Sequence, residues 1–188
     1  MKLISTHNSA TGEPSLTWRD ALLVPFARCQ SLTISEQLRA GVTYFDMRAA
    51  PGPHGWHCAH GHWLSRTLLR DALDLIDWWA WEHGGTYYVS LTLECGSDDL
   101  ARQLLQTASG WKQAPAYRLT YLAGKAGGGW HVIEEFHPVA MAQGFYSLGR
   151  GHWRTLLPVP RLWAALRPAP VWSENIYLQV DFFGDGEK

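Results

Sequence analysis

The chain has 188 residues, of which 46% are hydrophobic, and this is enough to bury the core of a single domain. Its 16 basic and 17 acidic residues give a formal net charge of -1, so there is no basic field to hold a nucleic-acid backbone and a nucleic-acid partner is disfavoured. Cys29, Cys58 and Cys95 are scattered and form no CxxC pair, which predicts free thiols rather than a disulfide framework.

The N-terminus leads straight into the first predicted strand. Met1 and Lys2 are followed by the strand residues with no apolar signal segment between them. No apolar run approaches the ~18 residues that a membrane span needs. We therefore expect a soluble chain, either cytoplasmic or released, with residues 1–188 forming one domain.

The first third of the chain predicts two strands separated by helical sequence. Residues 3–7 read as a strand, and residues 16–26 as either a short helix or an irregular excursion. A clearer helix follows, with Thr33 or Ser35 as its N-cap. Residues 42–48 then predict the second strand.

The middle of the chain predicts a third strand, a long helix and a fourth strand. The third strand is 56–60, and Ser65 is the expected cap of a helix that ends at the glycines 84–85. The fourth strand, 86–94, alternates apolar residues with a polar face that ends in Glu94. A barrel strand covered by helices has this pattern, because its apolar face points outward while polar groups near the rim point inward.

The second half continues the alternation more weakly. A helix is predicted over 99–109, strands over 117–122 and 130–136, a short helix near 161–166, and a final strand over 175–183. About seven strands alternating with helices favour a parallel sheet or barrel. The predicted fold class is α/β, a TIM-type barrel that is distorted or abbreviated, because 188 residues are fewer than the ~200 of a complete eight-stranded barrel.

Chemically active side chains gather at the carboxyl ends of these predicted strands. They are His7, Asp46, Arg48, His60, Glu94 and Asp181. Side chains at such ends converge over the mouth of a barrel. Two imidazoles and a guanidinium suit cleavage of a phosphodiester by internal attack, since one imidazole removes a proton, the other donates one, and the guanidinium offsets charge on the phosphate oxygens.

These motifs resemble the X region of phosphatidylinositol-specific phospholipase C. The matching segments fall within residues 3–94, in the expected order and spacing, and are ISTHNS, LTISEQLRAGVTYFDMR, HG and VSLTLE. The resemblance implies a distorted TIM barrel. It also implies attack of the inositol 2-hydroxyl on phosphorus, releasing diacylglycerol and a 1,2-cyclic phosphate.

The resemblance assigns a role to each catalytic position. His7 is similar to the general base and His60 to the general acid. Arg48 stands where metal-independent members carry an arginine and calcium-dependent members a carboxylate. Asp181 resembles the late aspartate that pairs with the base histidine.

Three further positions are expected to bind substrate, and they carry an alternative. Asn8 stands where the metal-independent group usually has Asp, and Asn8, Asp46 and Glu94 together would make an oxygen-rich set suited to calcium. Arg48 argues against calcium, because a fixed cation repels a divalent ion. The guanidinium can also supply the positive charge that the ion would otherwise provide. The sequence therefore favours no cofactor, with calcium as the alternative.

Two other interpretations remain open. A zinc hydrolase would use the histidine-rich stretch 54–62, where Cys58, His60 and His62 would share one face of a strand. A barrel that has lost turnover would bind a head group without cleaving it. For both the phospholipase and the inactive head-group-binding barrel, the expected partner is phosphatidylinositol or a related phosphodiester, with transient contact to a membrane surface.

Overall fold

The computed structural model describes residues 4–85, 87–94, 99–100, 103–104, 117–126, 129–135, 140–147 and 176–181, of which those from 117 onward are described by their backbone. The strands are β1 Ile4–Thr6, β2 Tyr44–Gly52, β3 Gly55–His60, β4 Trp63–Leu68, β5 Tyr87–Leu93, β6 Tyr117–Ala126, β7 Gly129–Glu135, β8 Ala140–Ser147 and β9 Ile176–Asp181. The α-helices are α1 Trp18–Ala27, α2 Ile34–Arg39 and α3 Leu69–His83, and Ser9–Gly12 form a 3-10 turn.

The strands form one mixed sheet of half-barrel type. Its hydrogen-bonded order is β7-β6-β5-β2-β1-β9-β8, and β3 and β4 extend from β2. The run from β6 to β8 is parallel, whereas β7 pairs antiparallel with β6. The prediction of an α/β fold built on parallel strands is confirmed at this level, and the described strands number nine rather than seven.

The register of the parallel strands brings their carboxyl ends to one edge of the sheet. Thr6, the last residue of β1, pairs with Phe45 of β2 on one side and Val180 of β9 on the other. Asp46 of β2 pairs with Ser90 of β5. The residues that follow these pairs therefore start from the same edge, as the sequence predicted.

The β2–β4 segment differs from the prediction. β3 runs antiparallel to β2, with Ala49 paired to Cys58, so it is not a further parallel barrel strand. Ser65 does not cap the long helix, because it lies within β4, where its hydroxyl accepts from the backbone N–H of Thr67. α3 begins after Leu68, which makes no side-chain cap. The Ser65 hydroxyl thus accepts a hydrogen bond from a nearby backbone N–H, as an N-cap does, but within a strand rather than at the start of a helix.

Capping boxes begin the first two helices. Thr33 caps α2 in a capping box with Glu36, and the bonds from Thr33 lower the pKa of that carboxyl. α1 is a helix rather than an irregular excursion, because Thr17 and Asp20 form a second capping box. None of the helices within the described ranges is long and apolar enough to cross a membrane.

The core lies between the helices and one face of the sheet. α3 contributes its buried stripe, including Leu73 and Ile76, and β5 contributes Val89, Leu91 and Leu93. The alternation read in β5 is confirmed, because its polar residues leave this cluster and remain buried on the opposite face. That buried polar face is where the candidate site begins.

The remaining predictions fall partly on described residues. Residues 99–100 and 103–104 are helical, as expected for the helix 99–109, and the strands 117–122 and 130–136 are confirmed as β6 and β7. β8 arises in a stretch where no strand was predicted. The helix predicted at 161–166 lies outside the described residues. Cys29 and Cys58 are both buried and are not joined in a disulfide, and Cys95 lies outside the described residues.

Candidate functional site

The end of β1 supplies the first two side chains of the site. His7 and Asn8 follow the last β1 residue and are 9% and 2% exposed. Asn8 adopts a left-handed backbone conformation with φ 46°, which asparagine tolerates better than most residues, and this turns the chain from the strand into the 3-10 turn. The His7 carbonyl accepts from Gln30 Nε2 at 2.9 Å, so the turn is held from the outside.

His60 faces His7 across the site from a different element. It is the last residue of β3, and the two ring centroids lie 6.4 Å apart at an interplanar angle of 74°. His60 Nδ1 lies 2.6 Å from the Ala27 carbonyl oxygen at the end of α1. Since a carbonyl only accepts, His60 carries a proton on Nδ1, and its Nε2 is turned toward the other ring.

The environment of His7 fixes which of its nitrogens is the base. Its Nε2 lies 3.0 Å from Asn8 Nδ2 and 3.2 Å from Arg48 Nη2. Both neighbours are donors without acceptor capacity, so Nε2 must present a lone pair and the ring proton belongs on Nδ1. His7 is therefore held in the form that can take a proton at Nε2.

Arg48 is held by two buried carboxylates. Its Nη1 donates to Glu94 Oε1 at 2.7 Å, and its Nε lies 3.7 Å from Asp46 Oδ2. Burial opposes the charge on Arg48, but the attraction of Asp46 and Glu94 outweighs it and raises the pKa of the guanidinium. Arg48 thus remains a fixed cation, and its Nη2 contacts His7 Nε2.

Asp46 is fixed from three sides. Besides Arg48, it accepts from the backbone N–H of Asn8 at 3.2 Å through Oδ2 and from the Ser90 hydroxyl at 3.4 Å through Oδ1. The strand register explains this, because Asp46 and Ser90 are paired positions on β2 and β5. A carboxylate with this many partners is held in one orientation and in turn orients its neighbours.

Cys29 and the Ala27 carbonyl belong to the site and were not predicted. Cys29 Sγ lies 3.3 Å from Asn8 Nδ2 and 3.9 Å from His60 Nδ1. Neither residue ends a strand, so the strand-end criterion passed over both. The only signal in the sequence is their position, because both lie at the end of α1, in the segment that connects β1 with β2.

The remaining predicted site residue is placed by its backbone. Asp181 is the last residue of β9 and follows Val180, the partner of Thr6. The residue after Thr6 is His7, so the strand register places the backbone of Asp181 beside that of His7. The predicted pairing of their side chains lies outside the described residues.

The zinc ligands expected in residues 54–62 are not brought together. A register shift between His57 and Ala59 places Cys58 in the apolar core while His60 reaches the site. His62 is exposed beyond the end of β3. Within the part of the chain that the structure describes, no group of three or more His, Cys, Asp or Glu side chains is arranged to hold a metal ion.

Taken together, the edge of the sheet carries a proton acceptor, a second imidazole and a fixed cation. His7 Nε2 and Arg48 Nη2 are in contact, and His60 Nε2 lies 3.3 Å from the amide nitrogen that also contacts His7. This arrangement can remove a proton from one oxygen, return a proton to another, and offset negative charge between them.

Comparison with known proteins gives structural matches alone. No protein-family model matches the chain, and no curated protein sequence does. The phosphatidylinositol-specific phospholipase C of Listeria monocytogenes matches with a TM-score of 0.52 and 18% identity, over 78% of this chain and 62% of that one. This similarity shows a shared fold.

Two structures from Staphylococcus aureus also match. One is a phosphatidylinositol-specific phospholipase C studied for its membrane binding, with 15% identity and a TM-score of 0.47 over 66% of this chain and 47% of that one. The other is a mutant of the same kind of enzyme, with 14% identity and a TM-score of 0.48 over 76% and 55%. The chain spans less than two thirds of the length of each of the three structures.

Proposed function

We propose that the chain is a phosphodiesterase of the phospholipase C type, acting on phosphatidylinositol or a related inositol phosphodiester. The observation that carries the proposal is the contact of His7 Nε2 with Arg48 Nη2 at 3.2 Å, opposite the second imidazole of His60. A base, an acid and a fixed cation around one space are what internal attack on a phosphodiester requires. The fold shared with a phosphatidylinositol-specific phospholipase C supports the choice of substrate.

The proposed reaction uses both histidines. His7 Nε2 removes the proton of the inositol 2-hydroxyl, and the resulting oxygen bonds to phosphorus. The bond from phosphorus to the glycerol oxygen breaks, and protonated His60 gives its Nε2 proton to that leaving oxygen. The products are diacylglycerol and a 1,2-cyclic phosphate, and Arg48 offsets charge on the non-bridging oxygens.

The carboxylates have supporting roles in this proposal. Asp181 would accept from Nδ1–H of His7, which keeps the base in the required tautomer. Asp46 and Glu94 hold Arg48 in place and, with Asn8, are proposed to meet the hydroxyl groups of the inositol. The support is positional, because Asp46 and Glu94 are buried at the same edge as the histidines.

We propose that the reaction needs no metal ion. A calcium site would use Asn8, Asp46 and Glu94, but Arg48 already donates a hydrogen bond to Glu94 and forms an ion pair with Asp46. A divalent ion there would meet the guanidinium at close range and lose much of its attraction to the site. The donor set therefore does not fit calcium while Arg48 is present.

The proposed lipid substrate requires contact with a membrane surface, and α1 offers one. Trp18, Leu22 and Phe26 recur every four residues along it and are 70%, 65% and 62% exposed. Arg19, whose guanidinium lies 5.4 Å from the Trp18 ring, gives this stripe a positive flank. Apolar side chains with a basic neighbour suit the interface of an anionic lipid surface, and the helix ends at the Ala27 carbonyl that holds His60.

The test is release of diacylglycerol from three detergent-dispersed lipids: phosphatidylinositol, its 2-deoxyinositol analogue and phosphatidylcholine. We expect release from the first alone, because the analogue lacks the attacking hydroxyl and the choline lipid has no hydroxyl at that position. Release from the 2-deoxy analogue would contradict internal attack. Binding of phosphatidylinositol without release would instead favour a head-group-binding module.

A further inference from the structure

The hydroxyl of Thr11 joins two segments that each hold one of the two site histidines. Thr11 is 3% exposed and lies in the 3-10 turn that follows His7. Its Oγ1 donates to the Asn8 carbonyl oxygen at 2.8 Å and accepts from the backbone N–H groups of Cys29 and Gln30, each at 2.9 Å. A hydroxyl has one hydrogen and two lone pairs, so these bonds use its whole capacity.

The first of these segments is the turn that carries the base. The Asn8 carbonyl accepts from both the backbone N–H and the hydroxyl of Thr11, which closes the turn directly after His7. The same turn has other support, because Gln37 Nε2 donates to the Ser9 carbonyl oxygen at 2.7 Å. The backbone bond and the Gln37 contact remain when the Thr11 hydroxyl is removed, so we expect the base to stay in place.

The second segment follows α1 and presents the Ala27 carbonyl to the acid. That oxygen lies 2.6 Å from His60 Nδ1, and Cys29 Sγ lies 3.9 Å from the same nitrogen. The N–H groups that donate to Thr11 belong to Cys29 and Gln30, which come shortly after Ala27 in the chain. Both residues are buried, so water does not readily replace the hydroxyl as their acceptor. The position of the carbonyl, and with it the orientation of the acid ring, therefore depends on this hydroxyl.

We propose that Thr11 is a positioning residue that sets the place of the acid relative to the base. This inference rests on the proposed function and deepens it, because that reaction needs both imidazoles at a fixed separation around one phosphate. A single hydroxyl performs the task, since it ties the turn after His7 to the segment that orients His60. Without it the Ala27 carbonyl moves away, and His60 loses the acceptor that keeps its ring proton on Nδ1.

The test compares Thr11→Val with Thr11→Ser. Valine resembles threonine in shape but has no hydroxyl, whereas serine keeps the hydroxyl and loses only a methyl group. Gln37→Met is the matched control, because it removes hydrogen bonds to the carbonyl groups of Ser9 and Leu32 and does not touch the segment after α1. If Thr11→Val does not fold, Thr11→Ala takes its place, since it removes the hydroxyl without setting a methyl group where the oxygen stood.

The first readout is nitrogen-15 NMR of the imidazoles in the free protein, without substrate and at a pH where the rings are neutral. In the wild type and in Thr11→Ser we expect His60 to carry its proton on Nδ1 alone, with His60→Ala assigning the signal. In Thr11→Val we expect a second population with the proton on Nε2, because the carbonyl no longer fixes the tautomer. Gln37→Met should keep the wild-type signal of His60.

The second readout is cleavage of phosphatidylinositol and of an inositol phosphodiester with a nitrophenolate leaving group. The lipid needs a general acid, whereas nitrophenolate leaves without one. In Thr11→Val we expect kcat for the lipid to fall at least about tenfold, with KM within about twofold. For the nitrophenyl substrate kcat should stay within about threefold of the wild type. Thr11→Ser should restore the lipid rate, and Gln37→Met should leave the ratio of the two rates unchanged.

A His60 tautomer that is unchanged in Thr11→Val overturns the inference, as does a wild-type His60 whose neutral form carries its proton on Nε2. An equal loss on both substrates also overturns it, because the hydroxyl would then act only by holding the fold. If the tautomer changes in Thr11→Val and the wild type cleaves no inositol lipid, the proposed function fails and the role of Thr11 in orienting His60 stands.

Discussion

Replacing Arg48 by methionine separates its catalytic role from its structural one. Methionine fills a similar length without charge, and it leaves the carboxylates of Asp46 and Glu94 buried without their cation. Removing one partner of a buried ion pair costs about 3–5 kcal/mol, and we expect about 3 kcal/mol here because the Arg48 side chain is 20% exposed. Because a domain of this size is stable by about 5–15 kcal/mol, we expect the variant to fold with a clearly lower free energy of unfolding.

The catalytic loss should be larger than the structural one suggests. A single preorganised donor to developing negative charge is worth about 10²- to 10³-fold in kcat. Arg48 Nη2 also contacts the base nitrogen of His7, so its loss frees that nitrogen as well. We expect kcat for cleavage of phosphatidylinositol to fall by at least about 10²-fold.

The control is the double variant Arg48→Met with Glu94→Gln. The amide of glutamine needs no cation, so about half of the lost unfolding free energy should return, while cleavage stays as low as in the single variant. Urea unfolding measures the first quantity and release of cyclic phosphate the second. Recovery of both together would refute the reasoning, because Arg48 would then act only by holding the fold.

Three further predictions concern the acid, the base, the metal and the membrane. His7→Ala and His60→Ala should each abolish cleavage of phosphatidylinositol while circular dichroism shows an intact fold. A substrate with a nitrophenolate leaving group, which needs no general acid, should restore turnover to His60→Ala alone. Unchanged turnover of phosphatidylinositol in either variant would contradict the two-histidine assignment. Arg48→Asp should lower activity and make it dependent on calcium, because a third carboxylate then joins those of Asp46 and Glu94. A variant whose activity changes with neither calcium nor chelator would show that Arg48 does not take the place of an ion. The double variant Trp18→Ser with Phe26→Ser should bind anionic vesicles at least about tenfold more weakly in a sedimentation assay and cleave a soluble inositol phosphodiester at an unchanged rate. An equal loss of vesicle binding and of cleavage of the soluble substrate would show that the substitutions disturb the site.

Local patterns predicted the elements that depend on local chemistry. The alternation of β5 fixed both of its faces because side chains in a strand point to opposite sides in turn. The capping box of Thr33 with Glu36 likewise involves residues three apart. Such features need no information from distant parts of the chain, and the structure has them where the sequence indicated.

The elements that depend on distant contacts were harder to predict. The sequence predicts β3 as another barrel strand, whereas β3 pairs antiparallel with residues 49–52 of β2. The predicted β2 ends at residue 48, so the sequence pattern does not reveal the partner of β3. The β3–β4 pairing shifts register between His57 and Ala59, and Cys58 lies in the apolar core while His60 reaches the site. The zinc hypothesis assumed a regular strand on which Cys58, His60 and His62 share one face, and the described residues do not have that arrangement.

The site shows the same division. Placing His7, Arg48 and His60 at strand ends was enough to predict that they meet. Which atoms meet was not predictable, because the Ala27 carbonyl that orients His60 comes from a helix end, and Asn8 takes a left-handed turn to reach both rings. Atomic pairing of this kind depends on the packing of four separate elements.

Phosphorus NMR of the protein with detergent-dispersed phosphatidylinositol in excess chelator tests the central claim most directly. The account predicts the signal of a five-membered inositol cyclic phosphate, formed at the same rate when calcium replaces the chelator and lost in the His7→Ala protein. A signal that appears only with calcium would contradict the metal-independent mechanism. A linear inositol phosphate formed without the cyclic intermediate would contradict attack by the 2-hydroxyl.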